Sequence, residues 1–241
     1  MTIVAIHQPN FFPWLGYFKK ITVSDRFIFL NDAQFPLGMG NWGNRVSLLV
    51  ADESRWVTAP VVRSGAGEQR ISEVKFAERA NWRGKFIRTL ETNYRKAPFY
   101  EETMQFLRPL IENPDSSLAS YNMHAIRAIS AVLGIEEGKL VVASDIGTGE
   151  VSTQRLIALT KALGGTVYLS GDGAGGYQDD AAFAEASIAL QALSFKHPRY
   201  RQLAANEEFV PGLSIIDPLM NIGADNTAEM LAEDTRVGDA S

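Results

Sequence analysis

Residues 2–30 constrain the fold most, because they place two apolar strands on either side of an amphipathic helix. Residues 2–6 form a short segment of mostly β-branched side chains, and residues 26–30 read RFIFL. Both patterns are typical of buried strands. Residues 14–23 carry aromatic and aliphatic side chains at helical spacing, and Pro13 suits a first helical turn. A strand, a helix and a strand within about 30 residues predict a right-handed βαβ unit.

Polar side chains follow both of these predicted strands. Residues 7–10 read HQPN, and residues 31–34 read NDAQ. Because ligands of open α/β sheets bind outside the carboxyl ends of the strands, we expect both polar segments to lie at one functional edge.

The rest of the chain predicts a second α/β alternation after a helical middle segment. Residues 139–144 and 166–169 have the character of short strands, with a helix over 152–163 between them. Residues 46–50 and 55–62 alternate as a β-hairpin that extends or edges the sheet.

These elements predict an α/β fold with a mostly parallel, Rossmann-like sheet, a helical middle segment and a β-hairpin. We expect residues 1–224 to form a single domain with a helical insertion near 79–133. A helix is expected over 213–220. Residues 225–241 are rich in Asp and Glu and are interpreted as a frayed acidic tail.

Composition excludes several classes of function. The formal charge of -5 argues against general binding to nucleic acid, and no apolar run reaches the roughly 20 residues of a membrane span. With no cysteine and three histidines, thiolate chemistry is excluded and we expect no metal site. The N-terminus has no secretory signal pattern, so a cytoplasmic location is expected.

His7 and Asp32 are the candidate catalytic residues. His7 directly follows the first strand and is the side chain type that exchanges protons near neutral pH, while Asp32 could orient its ring or receive a proton. The alternative for His7 is a structural one, in which its ring caps neighbouring backbone groups.

Candidate substrate-binding residues surround this edge. Trp14 lies on the aromatic face of the first helix, which is either core or a stacking surface, and Gly16 allows another backbone or a ligand to approach closely. Arg45 could clamp a phosphate or carboxylate, or else lie in a surface turn. The polar candidates that complete this set are Gln8, Asn10, Gln34 and Asn44.

A glycine-rich segment supplies the last candidates. Residues 168–177 read YLSGDGAGGY, so that Ser170 and Gly171 end a strand and Tyr177 closes the loop. Successive backbone N–H groups in such a loop bind anions, although a plain strand-to-helix connection has the same composition. We expect both strand ends to share one cleft, because strand ends gather on one side of an open sheet.

For two histidines and one basic segment, a structural role is the preferred interpretation. His124 lies inside a predicted helix, and His197 lies in a KHPR loop near Tyr200. Residues 79–96 carry six basic side chains against one Glu, which describes either a solvated helix face or a surface for an acidic partner such as a carrier protein.

Several of these segments together resemble the WbqC-like protein family. The segments that carry the resemblance are HQPNFFPWLGYF at 7–18, Ser24 with Asp25, NDAQF at 31–35, Asn44 with Arg45, YLSG at 168–171 with Tyr177, and FVPGLSIID at 209–217. The resemblance implies a transferase that modifies an amino sugar or a comparable amine in polysaccharide or related biosynthesis. The opening also resembles HIGH-type nucleotidyltransferases, but residues 14–17 lack the second histidine of that motif.

The hypothesis that follows is acyl or aminoacyl transfer from a thioester donor to an amine. Without cysteine, the amine attacks the donor directly while His7 takes its proton and Asp32 holds His7. The donor would be a coenzyme thioester or an acyl or peptidyl carrier protein, with no tightly bound cofactor. The alternatives are a non-catalytic accessory protein that binds a sugar nucleotide or a carrier protein, and a nucleotidyltransferase-like enzyme.

Overall fold

The computed structural model of the protein describes residues 1–36, 42–62, 69–78, 81–171, 179–203 and 208–233, with the backbone of 238–239. The strands are β1 (Ile3–His7), β2 (Arg26–Phe29), β3 (Arg45–Val50), β4 (Glu53–Thr58), β5 (Val61–Val62), β6 (Lys75–Phe76), β7 (Leu140–Val142), β8 (Val167–Gly171), β9 (Ala189–Leu193) and β10 (Gly238–Asp239). The helices are α1 (Leu15–Val23), α2 (Trp82–Tyr94), α3 (Tyr100–Ile111), α4 (Leu118–Val132), α5 (Ala143–Ile146), α6 (Ser152–Ala162), α7 (Asp180–Glu185) and α8 (Ile216–Ala232).

The main sheet contains five parallel strands in the order β9-β8-β1-β2-β7, with β10 antiparallel to β9 at one edge. From β1 the chain moves outward to β2 and then β7, and it later returns to place β8 on the other side of β1. The order of winding therefore reverses between β1 and β8. In an open α/β sheet this reversal opens a crevice at the carboxyl ends of the strands.

The sheet is buried on both faces, as its continuous apolar strands require. Ala5 pairs with Phe27 and Leu169 in the strand register, and all three pack in the larger apolar cluster together with residues of α1 and α8. Val4 and Ile28 point the opposite way, into a smaller cluster built with α6 and α7. The α/β, mostly parallel fold predicted from the sequence is confirmed.

The helical middle segment consists of α2, α3 and α4, which pack on the larger cluster. Each contributes buried side chains at helical spacing, such as Phe86 and Leu90 on α2 and Ile126 and Ile129 on α4. Among the described residues, no helix has the length and apolar character needed to cross a membrane.

The β3–β4 hairpin differs from the expectation that it would extend or edge the main sheet. It forms a separate two-stranded sheet, in which Arg45 pairs with Thr58. The physical reason is that β3 buries Val46, Leu48 and Leu49 in the cluster shared with the helical segment, so packing, and not pairing with a strand of the main sheet, attaches the hairpin to the fold.

The predicted frayed tail is wrong over residues 225–232, because α8 continues through them to Ala232. Thr227 and Leu231 are buried, while Asp225 and Glu229 are exposed on the opposite side. The acidic residues thus belong to the solvent face of an amphipathic helix. The helix is kinked at Gly223, whose φ of 81° suits glycine and whose Cβ position lies within 2.8 Å of the Phe99 ring.

Candidate functional site

A pocket of about 540 Å³ lies at the carboxyl ends of β1 and β8, where the winding of the sheet reverses. Its position is the one at which α/β sheets bind their ligands. Most of its lining residues are aromatic or apolar, and three of them, His7, Lys20 and His197, are basic. The other lining residues are Ile6, Trp14, Gly16, Tyr17, Trp42, Tyr168, Gly171, Leu193 and Phe195.

His7 is the last residue of β1 and is held in one orientation. Its Nδ1 lies 3.0 Å from the backbone carbonyl oxygen of Gln8, which also accepts a hydrogen bond from the Tyr17 hydroxyl at 3.0 Å. Because a carbonyl oxygen only accepts, Nδ1 carries the proton of the neutral ring and Nε2 carries a lone pair. The Tyr17 ring meets the imidazole edge-on, with ring centroids 4.9 Å apart.

The His7 ring is uncharged at neutral pH. Burial and, to a smaller extent, the nearby charge of Lys20 lower the pKa of His7 from 6.5 to about 4, against a smaller opposing effect of the Gln8 carbonyl. Within the described part of the chain, Nε2 has no hydrogen-bond partner, so its lone pair is free to accept a proton or hydrogen bond from a ligand.

Lys20 is the second ionisable group of the pocket, and the sequence analysis missed it. It projects from α1 with only 4% of its surface exposed, and its Nζ donates a 2.9 Å hydrogen bond to the Ile6 carbonyl oxygen. Burial lowers the pKa of Lys20 from 10.5 to about 7. A signal was present, because a lysine three residues after Tyr17 and one before Ile21 must fall near the apolar face of this helix.

The adjacent Lys19 is buried for a different reason. Its Nζ donates 2.7 Å hydrogen bonds to the carbonyl oxygens of Leu231 and Glu233, at the end of α8. A cation at a helix C-terminus is stabilised by the helix dipole and satisfies the last carbonyl groups. Lys19 therefore ties α1 to α8, whereas Lys20 lines the pocket.

Gly16 is required by the aromatic wall of the pocket. A Cβ atom at this position would lie 2.7 Å from Nε1 of Trp14 and 2.8 Å from a ring carbon of Phe195. The groups that approach this glycine closely are thus two aromatic side chains, and not the backbone or ligand expected from the sequence. Trp14 in turn packs against Trp42, with ring centroids 4.7 Å apart, so the wall continues toward the β3–β4 hairpin.

The β8 side of the pocket brings in Gly171 and, from the loop after β9, His197. Ser170 is buried and donates its hydroxyl to the Gln191 carbonyl oxygen at 3.2 Å, which makes it a structural residue of the sheet. Burial lowers the pKa of His197, whose ring meets Phe195 edge-on. Tyr177 lies outside the described residues.

The expected contact between His7 and Asp32 is wrong. Asp32 instead forms an ion pair with Arg155 of α6, on the β2 side of the sheet edge. The backbone carbonyl of Gln8 takes over the orienting role assigned to this carboxylate, because it is already positioned beside the ring by the end of β1.

The remaining predicted binding residues are not among the described lining residues of this pocket. The Asn44 side chain donates to the Ala59 carbonyl oxygen and braces the hairpin, and the Arg45 guanidinium lies 4.3 Å from the centre of the Trp56 ring. Gln34 is exposed and Asn10 is buried at 3% exposure. Gln34, Asn44 and Arg45 differ from the expectation because the chain after β2 leaves the sheet edge to build the separate hairpin.

A larger cavity, of about 770 Å³, lies away from the sheet edge, between the hairpin and the start of α3. Its lining mixes acidic and basic side chains, including Glu91, Arg95 and Lys96. No group of three or more metal-ligating side chains occurs within the described ranges. The pocket at the sheet edge is therefore the better candidate, because it combines the topological position with two uncharged or weakly basic nitrogen groups.

Residues 8–229 match the WbqC-like protein family. The chain is also similar to "Uncharacterized protein Rv1507c" of Mycobacterium tuberculosis, with 34% identity over 227 residues, which cover 93% of this chain and 96% of that protein. No solved structure matches the chain at a significant level. The match extends over all of the elements that build the pocket after His7, and we conclude that this chain belongs to the WbqC-like protein family.

Proposed function

We propose that this protein is a transferase that moves an acyl or aminoacyl group from a thioester to an amine in the pocket at the sheet edge. The observation that carries the proposal is the fixed, uncharged His7, whose Nδ1 is committed to the Gln8 carbonyl and whose Nε2 lone pair remains available. An amine that attacks a carbonyl must lose a proton, and such a lone pair is the group that removes it.

The reaction follows from this arrangement. The amine nitrogen bonds to the thioester carbonyl carbon, and His7 Nε2 takes a proton from that nitrogen. The carbon–sulfur bond then breaks, and the imidazolium returns the proton to the departing sulfur, so that an amide and a thiol are formed. A histidine with a pKa of about 4 is a weak base but a strong acid once protonated, which favours this return step.

The direct test combines the purified chain with acyl coenzyme A thioesters and a series of amino sugars. Mass spectrometry should detect the amide, and a thiol reagent should detect the released thiol in equal amount. His7→Ala should lower turnover by about 10²- to 10⁴-fold with the fold intact. His124→Ala is the matched control, because His124 is exposed on α4 and is not among the lining residues. Full activity of the His7 variant would remove His7 from the mechanism.

The acyl donor could also arrive on a carrier protein, and the surface of α2 suits such a partner. Lys85, Arg88, Arg95 and Lys96 are exposed on this helix or just after it. Acidic carrier proteins are attracted to such a basic surface by long-range electrostatics. If the chain instead binds donors without forming product, the alternative holds, in which it is a non-catalytic accessory protein that binds a sugar nucleotide or a carrier protein.

One observation favours nucleotidyl transfer as the second candidate function. The sequence lacks the second histidine of the HIGH-type motif, but His197 lines the same pocket as His7. Two histidines beside a glycine-containing strand end could contact the phosphates of a nucleoside triphosphate. Release of pyrophosphate from a nucleoside triphosphate, abolished by His197→Ala, would support this reaction over acyl transfer.

A further inference from the structure

Lys20 is buried in a way that leaves its amine poorly suited to be a cation. A lysine ammonium has three N–H donors, and Nζ of Lys20 makes one hydrogen bond, to the Ile6 carbonyl oxygen. In the described part of the chain it has no acidic partner. Buried lysines are ordinarily paired, since removing an unpaired charge from water is costly.

The position of the Lys20 amine also differs from that of a lysine with a purely structural role. Lys19 holds two carbonyl oxygens at the end of α8, which explains its burial by packing and helix capping. Lys20 lies one residue further along α1, on the wall of the pocket, with His7 and the aromatic side chains Trp14 and Phe195 around the same cavity. A side chain that only filled this space would be better apolar.

We propose that Lys20 is a nucleophilic amine that forms an imine with an aldehyde or ketone bound in this pocket. This activity goes beyond acyl transfer, because it requires no thioester donor. An amine acts as a nucleophile only when uncharged, and a pKa lowered to about 7 by burial leaves a large uncharged fraction at neutral pH.

The step balances within the groups present. The Nζ lone pair bonds to the carbonyl carbon, and the carbonyl oxygen becomes the hydroxyl of a carbinolamine after a proton moves from nitrogen to oxygen. The hydroxyl then leaves as water with the second proton of the amine, and a carbon–nitrogen double bond forms. His7 Nε2 accepts a proton from the nitrogen and delivers it to the departing hydroxyl.

The lining of the pocket favours a carbonyl compound with an apolar carbon skeleton. The pocket of about 540 Å³ is mostly apolar, and Trp14, Trp42 and Phe195 present ring surfaces to its interior. Such rings pack against the carbon skeleton of a ligand, while His7 and Lys20, which line the same pocket and are close enough for the charge of Lys20 to lower the pKa of His7, meet its carbonyl function.

Reductive trapping tests the proposal on the full chain. The protein is incubated at pH 7 with glycolaldehyde and sodium cyanoborohydride, and the adducts are located by mass spectrometry. Chymotryptic cleavage after Phe18 and Phe27 gives the peptide KKITVSDRF, in which fragmentation distinguishes Lys19 from Lys20. We expect Lys20 to be labelled at least about 10-fold faster than Lys19 and the exposed Lys85, because each unit by which a pKa is lowered toward pH 7 raises the uncharged fraction about tenfold.

Labelling spread over surface lysines with Lys20 unmodified would overturn the proposal. The wild-type peptide map decides by itself, so the result does not depend on the folding of a variant. Lys20→Arg supplies a second readout, since it keeps a hydrogen-bond donor for Ile6 but forms no imine and should lose the fast label. The trapping experiment contains no acyl donor. A failure to label Lys20 would therefore leave the proposed acyl transfer by His7 in place, and a failure to detect acyl transfer would leave the labelling result unaffected.

Discussion

Replacing Lys20 by Met should remove a specific pH dependence of stability. Burial lowers the pKa of Lys20 from 10.5 to about 7 in the folded protein. Between these two values the unfolded chain keeps a proton that the folded chain releases. The free energy of unfolding therefore rises with pH in this window, by roughly 1.4 kcal/mol per pH unit for one proton, and the contribution is lost as the pH falls toward 7.

The expected magnitude can be read from two titrations. From pH 7.5 to 9.5 the wild-type protein should gain roughly 2.5 kcal/mol of stability relative to Lys20→Met. Urea unfolding at steps of half a pH unit measures this difference, and comparing the two proteins cancels the groups that they share. The range stops at pH 9.5 because burial raises the pKa of Tyr17 and Tyr94, whose contribution to stability has the opposite sign above pH 10.

His7→Gln provides the control for this measurement. Burial and the charge of Lys20 lower the pKa of His7 from 6.5 to about 4, so its contribution to stability increases with pH between those values and is constant above pH 7.5. The His7 variant should therefore parallel the wild-type protein from pH 7.5 to 9.5. If Lys20→Met also parallels the wild-type protein there, Lys20 is an ordinary charged lysine and the reasoning about its burial is refuted.

Three further predictions concern the wall, the helix junction and the partner surface. Gly16→Ala should destabilise the protein by about 1–3 kcal/mol and alter its near-UV circular dichroism, because the added methyl group collides with Trp14. Lys19→Met should cost about 1–3 kcal/mol in urea unfolding, since two carbonyl oxygens lose a donor. Arg88→Glu combined with Lys96→Glu should raise KM for a carrier-bound thioester about 10-fold while leaving KM for the coenzyme A thioester unchanged.

The sheet could be predicted from sequence because its determinants are local. Each strand is a short apolar run that ends in polar residues, and the first two strands flank a helix, which is the usual connection between parallel neighbours. The same rule placed His7 and Gly171 at one edge, and the structure brings both to one pocket. The prediction needed only strand direction and order, which the pattern of apolar residues largely determines.

The side-chain partners could not be predicted in this way, because they depend on where the chain travels between strands. Asp32 follows β2 as expected, yet its neighbour is Arg155, which a helix 123 residues further along the chain brings to it. His197 reaches the pocket only because the loop after β9 turns back across the sheet edge. No periodicity in the sequence records such a return.

Lys20 was missed for a different reason, which concerns charge and not chain path. Lysine is assigned to the surface because burial of its ammonium is costly, and that assignment fails where the amine is uncharged. The pattern of α1 contained the contradiction, since residues on both sides of its lysine pair are buried. A lysine pair that interrupts the apolar face of a helix is thus a signal for buried amines, of which one here caps the end of α8 and the other lines the pocket.

The two nitrogen groups of the pocket limit its charge in a way that bears on both proposed reactions. A proton on Lys20 lowers the pKa of His7, and burial disfavours a proton on either group, so these two side chains together carry at most one positive charge near pH 7. A substrate ammonium would add a second cation to an apolar cavity, whereas an uncharged amine or a carbonyl compound adds none. The pocket therefore disfavours cationic ligands, and burial leaves His7 uncharged and Lys20 partly uncharged near pH 7, as both proposed reactions require.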